Sequence, residues 1–168
     1  MDSETAIHEV LSPSLGKLRK AGVDVSVSWR GDGHCGFDRR GVGYLRLALA
    51  CLLDNAWEAM GDDRPRRVAI RGWVSDDVVR VAVCDSGRGI PREILPDVFE
   101  PLCTSKTGHA GLGLTICREC LATLGGSVAI AATGSEGTKI VVELPLGCTA
   151  PESAVPAPLA PVAERQPG

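Results

Sequence analysis

Two hairpins constrain what this chain can fold into more than any other feature. "RRVAIRGWV" and "VVRVAVCD" alternate apolar and polar residues, and the turn residues Ser75, Asp76 and Asp77 stand between them. "SVAIAA" and "TKIVVELPL" repeat the pattern around "TGSEG". Segments of this length, joined by so few residues, can pair only as antiparallel neighbours. Helical patterns separate them, so the chain reads as helices packed on one side of a largely antiparallel sheet. The order does not suggest a doubly wound dinucleotide-binding fold, because "SGRGI" and "GLGL" lack the immediate succession of strand, G-x-G-x-x-G and helix that its fingerprint needs.

The remaining elements complete that picture. Residues 6–20 carry Ile7, Val10, Leu11, Leu15 and Leu18 at helical spacing, with a bend expected at Pro13 and a stop at Gly22. "VDVSVSW" alternates strictly and predicts a strand over 23–29 with one buried face. A glycine-rich connection is expected to run to about Gly43, followed by a long helix over 44–60 that "GDDRP" ends. After Asp85 comes "SGRGIPREILPDVFEPLCTSKTGHAGLGL", a Gly-, Pro- and polar-rich segment with one short helical piece after Pro91. Irregular segments of that length inside a small domain are usually functional. "LTICRECLATLGG" predicts a last helix with a glycine stop. The expected fold is an α/β two-layer sandwich, a mixed and mainly antiparallel sheet of about five strands on three helices. It occupies 1–146, and the Pro- and Ala-rich residues 147–168 are expected to be a disordered tail.

Composition removes several functions. The 168 residues suffice for one core. The net charge is −3 and the 18 Lys and Arg are scattered, so no nucleic-acid partner is expected. No apolar run reaches membrane-spanning length, and "MDSETAIHEV" is acidic where a signal peptide is basic, so the expected location is cytoplasmic. Seven cysteines without a repeated spacing do not make a disulfide framework. "CREC" reads as two buried small residues on a helix, and "GDGHCGFD" as a turn.

Three places could carry chemistry. Asp85 ends a strand beside Gly87 and Gly89, where bare backbone lets a ligand approach. Its carboxylate could accept a hydrogen bond from an exocyclic amine such as adenine's, or it could simply end the strand in an Asp-Ser-Gly turn. "GHAGLGL" runs into a helix, so Gly111 and Gly113 lie where free amides and the helix dipole can hold phosphate, unless the segment is only a flexible loop. Lys106 could add charge to the same anion or be solvated. Asn55, with Asp54 and Glu58, forms either the polar edge of an amphipathic helix or a carboxamide ligand for Mg²⁺.

Taken in order, these pieces resemble the ATP-binding catalytic domain of sensor histidine kinases. That family lies within the superfamily of gyrase, heat-shock chaperone, histidine kinase and mismatch-repair ATPases, the GHKL group with the Bergerat fold. "LACLLDNAWEAM" resembles the asparagine box, "VCDSGRGI" the first glycine box, "DVFEPLCTSK" the phenylalanine box, and "GHAGLGLTICREC" the second glycine box. "LGGSVAIAATGSEGTKIVVELPL" is similar to the closing hairpin, and the likeness extends over about residues 5–146.

The resemblance implies ATP and Mg²⁺ as cofactors, with Asn55 as metal ligand and catalytic residue. It further implies Asp85 on the adenine amine, Gly87 and Gly89 as the wall near the base, and Phe99 under a short lid. Lys106, Gly111, Leu112 and Gly113 would flank the phosphates, and Glu58, Ile90, Thr104 and Leu114 complete the ATP-binding positions. The activity implied is histidine phosphotransfer to a separate dimerisation domain, with a response regulator downstream. The alternative is a nucleotide-binding switch without catalysis. A serine kinase of the anti-sigma-factor type is disfavoured, because its relatives place Glu where this chain has Cys51.

Cys51 is one of three departures from the pattern. It stands one turn before Asn55, where the kinases usually place a second Asn and the hydrolysing relatives a Glu. "HEVLSP" looks like a histidine box, yet the chain before the asparagine box is too short for the helical hairpin that carries one, so His8 reads as an ordinary helix residue. His109 replaces a glycine common at the start of the second glycine box.

Overall fold

The computed structural model describes residues 3–31, 37–102 and 111–146. In chain order it contains α1 (Ser3–Lys20), β1 (Asp24–Arg30), α2 (Arg39–Ala59), β2 (Arg67–Ser75), β3 (Val78–Asp85), α3 (Gly113–Thr123), β4 (Ser127–Gly134) and β5 (Gly137–Pro145), with a 3₁₀ turn at Leu95–Asp97. The five strands form one sheet in the order β1-β2-β3-β5-β4. β1 runs parallel to β2, and every other pair is antiparallel. The expected mixed, mainly antiparallel five-stranded sheet under three helices is the architecture found.

Alternation along the central strands decides which face the helices cover. Val68 and Ile70 of β2, Val79, Val81 and Val83 of β3, and Ile140, Val142 and Leu144 of β5 are all buried. Their alternates, such as Arg71 and Lys139, face out. Against that face pack Ile7, Val10, Leu11, Leu15 and Leu18 of α1, and Leu45, Leu49, Leu52 and Leu53 of α2. Cys117, Cys120 and Leu121 of α3 complete the layer. α1 continues through Pro13. An interior proline costs a helix roughly 3 kcal/mol, which burial of five large apolar side chains, at roughly 1.5–3 kcal/mol each, outweighs.

Several boundaries differ from the sequence expectation. α2 begins at Arg39, inside the stretch expected to be a glycine-rich connection, because Asp38 caps it: its Oδ1 accepts from the amide of Gly41 at 2.6 Å. A good N-cap contributes about 1 kcal/mol, which together with burial of the helix draws Gly41 and Gly43 into the first turns. The turn joining β2 and β3 is only Asp76–Asp77, since Ser75 still pairs with Val78. Both aspartates have positive φ, 53° and 58°, as a two-residue hairpin matched to strand twist requires. The second hairpin closes equally tightly, Gly134 opposite Gly137. Only Ser135 and Glu136 lie between them.

Asp54, which had no assigned role, accepts from Lys17 Nζ at 3.1 Å and so links α2 to α1. The pair is exposed and contributes about 0–1 kcal/mol. His8 lies exposed on α1. The tail expected at 147–168 and residues 32–36 of the turn expected at "GDGHCGFD" lie outside the described residues.

Candidate nucleotide site

Asp85 stands at the C-terminal end of β3, where three elements converge. Its Oδ1 accepts from the Gly87 amide at 2.8 Å and from the Thr138 amide of β5 at 3.3 Å. The carboxylate is thus aimed by two backbone donors from different parts of the chain. The next residue, Ser86, fixes the strand end: its hydroxyl donates to Pro65 O at 2.9 Å and accepts from the Arg67 amide at 2.9 Å. The Asp-Ser-Gly turn considered from sequence therefore exists, and it is the device that orients the carboxylate.

Around Asp85 the backbone packs too closely for side chains. A Cβ on Gly89, whose φ is 78°, would lie 2.2 Å from the carbonyl oxygen of Gly134, and one on Gly137 would lie 1.8 Å from that of Asp85. A Cβ on Gly87 would meet Ala59 at the end of α2 at 2.7 Å. The Arg88 amide donates to Ala59 O at 3.0 Å, so the glycine loop is bound to the last turn of α2. Asn55 is one turn back along that helix and half-buried, with Glu58 exposed beyond it. Between loop and helix end lies a cavity of about 270 Å³ lined by Glu58, Ala59, Met60, Ser86, Gly87 and Arg88, among others.

Ile90 leaves the glycine loop half-buried against the core, its amide donating to Thr133 Oγ1 at 2.8 Å. Phe99 is half-buried against the same core, beside the buried Val98. Glu100 pairs with Arg118 of α3 at 2.7 Å, which links the segment carrying Phe99 to that helix and holds the Arg118 pKa above its ordinary value. Gly111 has φ 65° and precedes Leu112, which caps α3 without a side-chain hydrogen bond. Gly113 opens the helix exposed, and Leu114 is buried. The Ile116 amide is bonded to Leu112 O, so helix geometry leaves the amides of Gly113, Leu114 and Thr115 without intrahelical acceptors. Thr115 Oγ1 is buried and unpartnered among the described residues. Thr104, Lys106 and His109 lie outside the described residues.

Cys51 belongs to the packing between α2 and α3. Burial, with Cys120 and Asp54 as neighbours, pushes its thiol up to about 11. Burial and the other two thiols push Cys117 up as well. At neutral pH all three are protonated and pack as small apolar groups, which is how "CREC" reads in sequence.

Sequence reasoning passed over Thr133, Thr138 and Thr115. The signal for Thr138 was available in "GTK", a threonine following a glycine at the mouth of a hairpin. Thr133 carried none, because its orientation depends on the register of β4.

The described helices and strands have the arrangement found in histidine kinase catalytic domains. The nucleotide-free catalytic domain of histidine kinase ThkA matches with a TM-score of 0.69 at 26% identity, over 88% of this chain and 95% of that one. The mycobacterial sensor histidine kinase MprB matches with a TM-score of 0.69 at 25% identity, over 88% and 98%. A sequence profile described as "Histidine kinase-, DNA gyrase B-, and HSP90-like ATPase" matches residues 42–147, and the chain belongs to that family. Its relatives include the C4-dicarboxylate transport sensor protein DctB of Rhizobium meliloti (strain 1021), 34% identical over 100 residues, 60% of this chain and 16% of that protein. Sporulation kinase D of Bacillus subtilis (strain 168) is 36% identical over 106 residues, 63% of this chain and 21% of that protein. The chain thus spans about a fifth of the length of the curated relatives it matches. It carries the nucleotide-binding ATPase domain of the sensor-kinase type. No helix among the described residues is long and apolar enough to cross a membrane.

Proposed function

We propose that residues 1–146 bind Mg²⁺-ATP and transfer its γ-phosphate to a histidine on a dimerisation domain distinct from these residues, with a response regulator as the next acceptor, in the cytoplasm. The observation that carries the reading is the aim of Asp85, a carboxylate held by the Gly87 and Thr138 amides at a gap too tight for side chains. An acceptor-only group in that setting suits an exocyclic amine, which adenine presents at its C6 position, where guanine has a carbonyl oxygen. Gly87 and Gly89 would form the adjoining wall, with Ile90 next to it in the ATP-binding positions and Phe99 under the lid. The start of α3, where Gly113 is exposed and the amides of Gly113, Leu114 and Thr115 lack intrahelical acceptors, suits phosphate oxygens, with Gly111 and Leu112 leading into it. Lys106 is assigned to the same phosphates, and Thr104 completes the proposed ATP-binding positions.

Mg²⁺ fits what α2 offers. Among the described residues no three His, Cys, Asp or Glu side chains gather as a cage. An ion here would therefore take one or two protein oxygens and fill its octahedron with water and phosphate, as Mg²⁺ does. Asn55 supplies a neutral oxygen, and Glu58 lies within one turn. When bound, the ion would neutralise charge on the phosphates, and the chain's own part is to hold and orient the nucleotide.

One observation favours the second reading, nucleotide binding without transfer. The protonated thiol of Cys51 supplies neither an oxygen ligand nor a base at the position one turn before Asn55. Incubation with γ-labelled ATP and an isolated dimerisation hairpin separates the two, and labelled histidine is the expected result. Mg²⁺-dependent binding with no labelled histidine would leave only the switch. Asn55→Ala is expected to abolish Mg²⁺-dependent binding in a folded domain, and Asp85→Ala to weaken binding with or without metal. Unchanged affinity in both would overturn the site.

A further inference from the structure

β4 starts with Val128 and Ile130 opposite Val142 and Ile140, on the side that faces the helices. Unbroken alternation would bring Ala132 to that same side and turn Thr133 outward. The register instead shifts between Ile130 and Ala132, so Ala132 pairs with the exposed Lys139 and Thr133 pairs with the buried Thr138. One extra residue thus turns the Thr133 hydroxyl inward, the re-aiming that bulges perform beside functional sites.

That hydroxyl has two partners. It accepts from the Ile90 amide at 2.8 Å and lies 3.1 Å from Thr138 Oγ1. Thr138 is 4% exposed, and its amide reaches Asp85 Oδ1. Gly89 presses on the carbonyl of Gly134, the residue after Thr133. The glycine loop and the β4–β5 hairpin therefore meet at one hydroxyl, which fixes the loop at Ile90 and orients Thr138 beside Asp85.

We propose that Thr133 is a positioning residue for the base-binding site: through Ile90 and Thr138 it sets the distance and angle at which the loop and Asp85 meet the base. This rests on the adenine-nucleotide reading above. Thr133→Val keeps the shape of the side chain but leaves the Ile90 amide and the Thr138 hydroxyl without their partner. ADP affinity is expected to fall roughly tenfold, and the ratio of ADP to GDP affinity to fall with it. Thr133→Ser restores the hydroxyl and is expected to restore both to within about twofold.

Hydrogen exchange supplies a readout that does not depend on nucleotide. The Ile90 amide is expected to lose protection in Thr133→Val and keep it in Thr133→Ser, while the amides of Val81 and Val142 stay protected in both. Equal ADP affinity in wild type and Thr133→Val overturns the positioning role and leaves the nucleotide reading standing. Equal losses for ADP and GDP, or failure of serine to rescue, would reduce Thr133 to a packing residue and overturn it too. A wild-type domain that binds no adenine nucleotide removes the nucleotide reading and this role together.

Discussion

Gly137→Ala tests the interlock at Asp85 directly. The added Cβ would lie 1.8 Å from the Asp85 carbonyl oxygen, 2.8 Å from its carbonyl carbon and 3.2 Å from Ser86 Cα. All three are backbone atoms, so no side chain can rotate away. Ordinary contact between such atoms is about 3.5 Å, and the strand end or the hairpin must retreat by roughly half that distance. The φ of 131° adds strain for any residue with a Cβ, about 1–3 kcal/mol, and overpacking adds about 1–3 kcal/mol. The expected loss is about 2–6 kcal/mol from a total typically near 5–15 kcal/mol. With a urea slope of about 2 kcal/mol per molar, the midpoint falls by about 1–3 M. Tryptophan fluorescence can follow it through Trp29, Trp57 and Trp73. Gly134→Ala is the control on the same hairpin, because a Cβ there meets nothing within 4 Å, and it should stay within about 0.5 kcal/mol of wild type. A Gly137→Ala midpoint close to that of the control would refute the claim that bare backbone at this point sets the position of Asp85.

Two further perturbations have definite signs. Gly16 sits in the middle of α1, where an added Cβ would meet nothing within 4 Å, so Gly16→Ala should add about 0.5–1 kcal/mol, seen as a higher thermal midpoint; a lower one would mean α1 is packed differently there. The Cys51 thiol, raised to about 11 chiefly by burial, should react with iodoacetamide at a rate that climbs about tenfold per pH unit between pH 8 and 10, since only the thiolate attacks. Because folding favours the protonated thiol, its contribution to stability is complete below pH 9 and is lost as the pH rises through about 11. Cys51→Ser should shrink that alkaline loss, and alkylation at the rate of a free thiol at pH 8 would refute the burial.

Much of the domain was legible because its signals are local. The alternation in "RVAIRGWV" and "VVRVAVCD" fixed both strands and their pairing, and the spacing of Leu45, Leu49 and Leu52 marked α2 as a core helix. The start of α2 was misjudged because Gly41 and Gly43 read as loop residues, whereas the Asp38 cap and burial of the helix outweigh their propensity. Asn55 and Asp85 could be singled out because polar residues beside apolar runs stand out in a string of letters. Cys51 could not be placed between α2 and α3, since its partners Cys117 and Cys120 lie on another helix.

By itself the sequence determined the elements and their order and marked candidate nucleotide-binding residues, because periodicity, turn chemistry and motif spacing act over a few residues. Only the tertiary structure decided that β5 lies between β3 and β4, that β1 runs parallel to β2, and that Gly87 crowds the Asp85 carboxylate, Gly137 the Asp85 backbone carbonyl and Gly89 the carbonyl of Gly134. It alone decided which way Thr133 points. A shift of one residue in strand register costs little locally but turns a side chain to the opposite face, and which register holds is settled by contacts with residues distant in the chain.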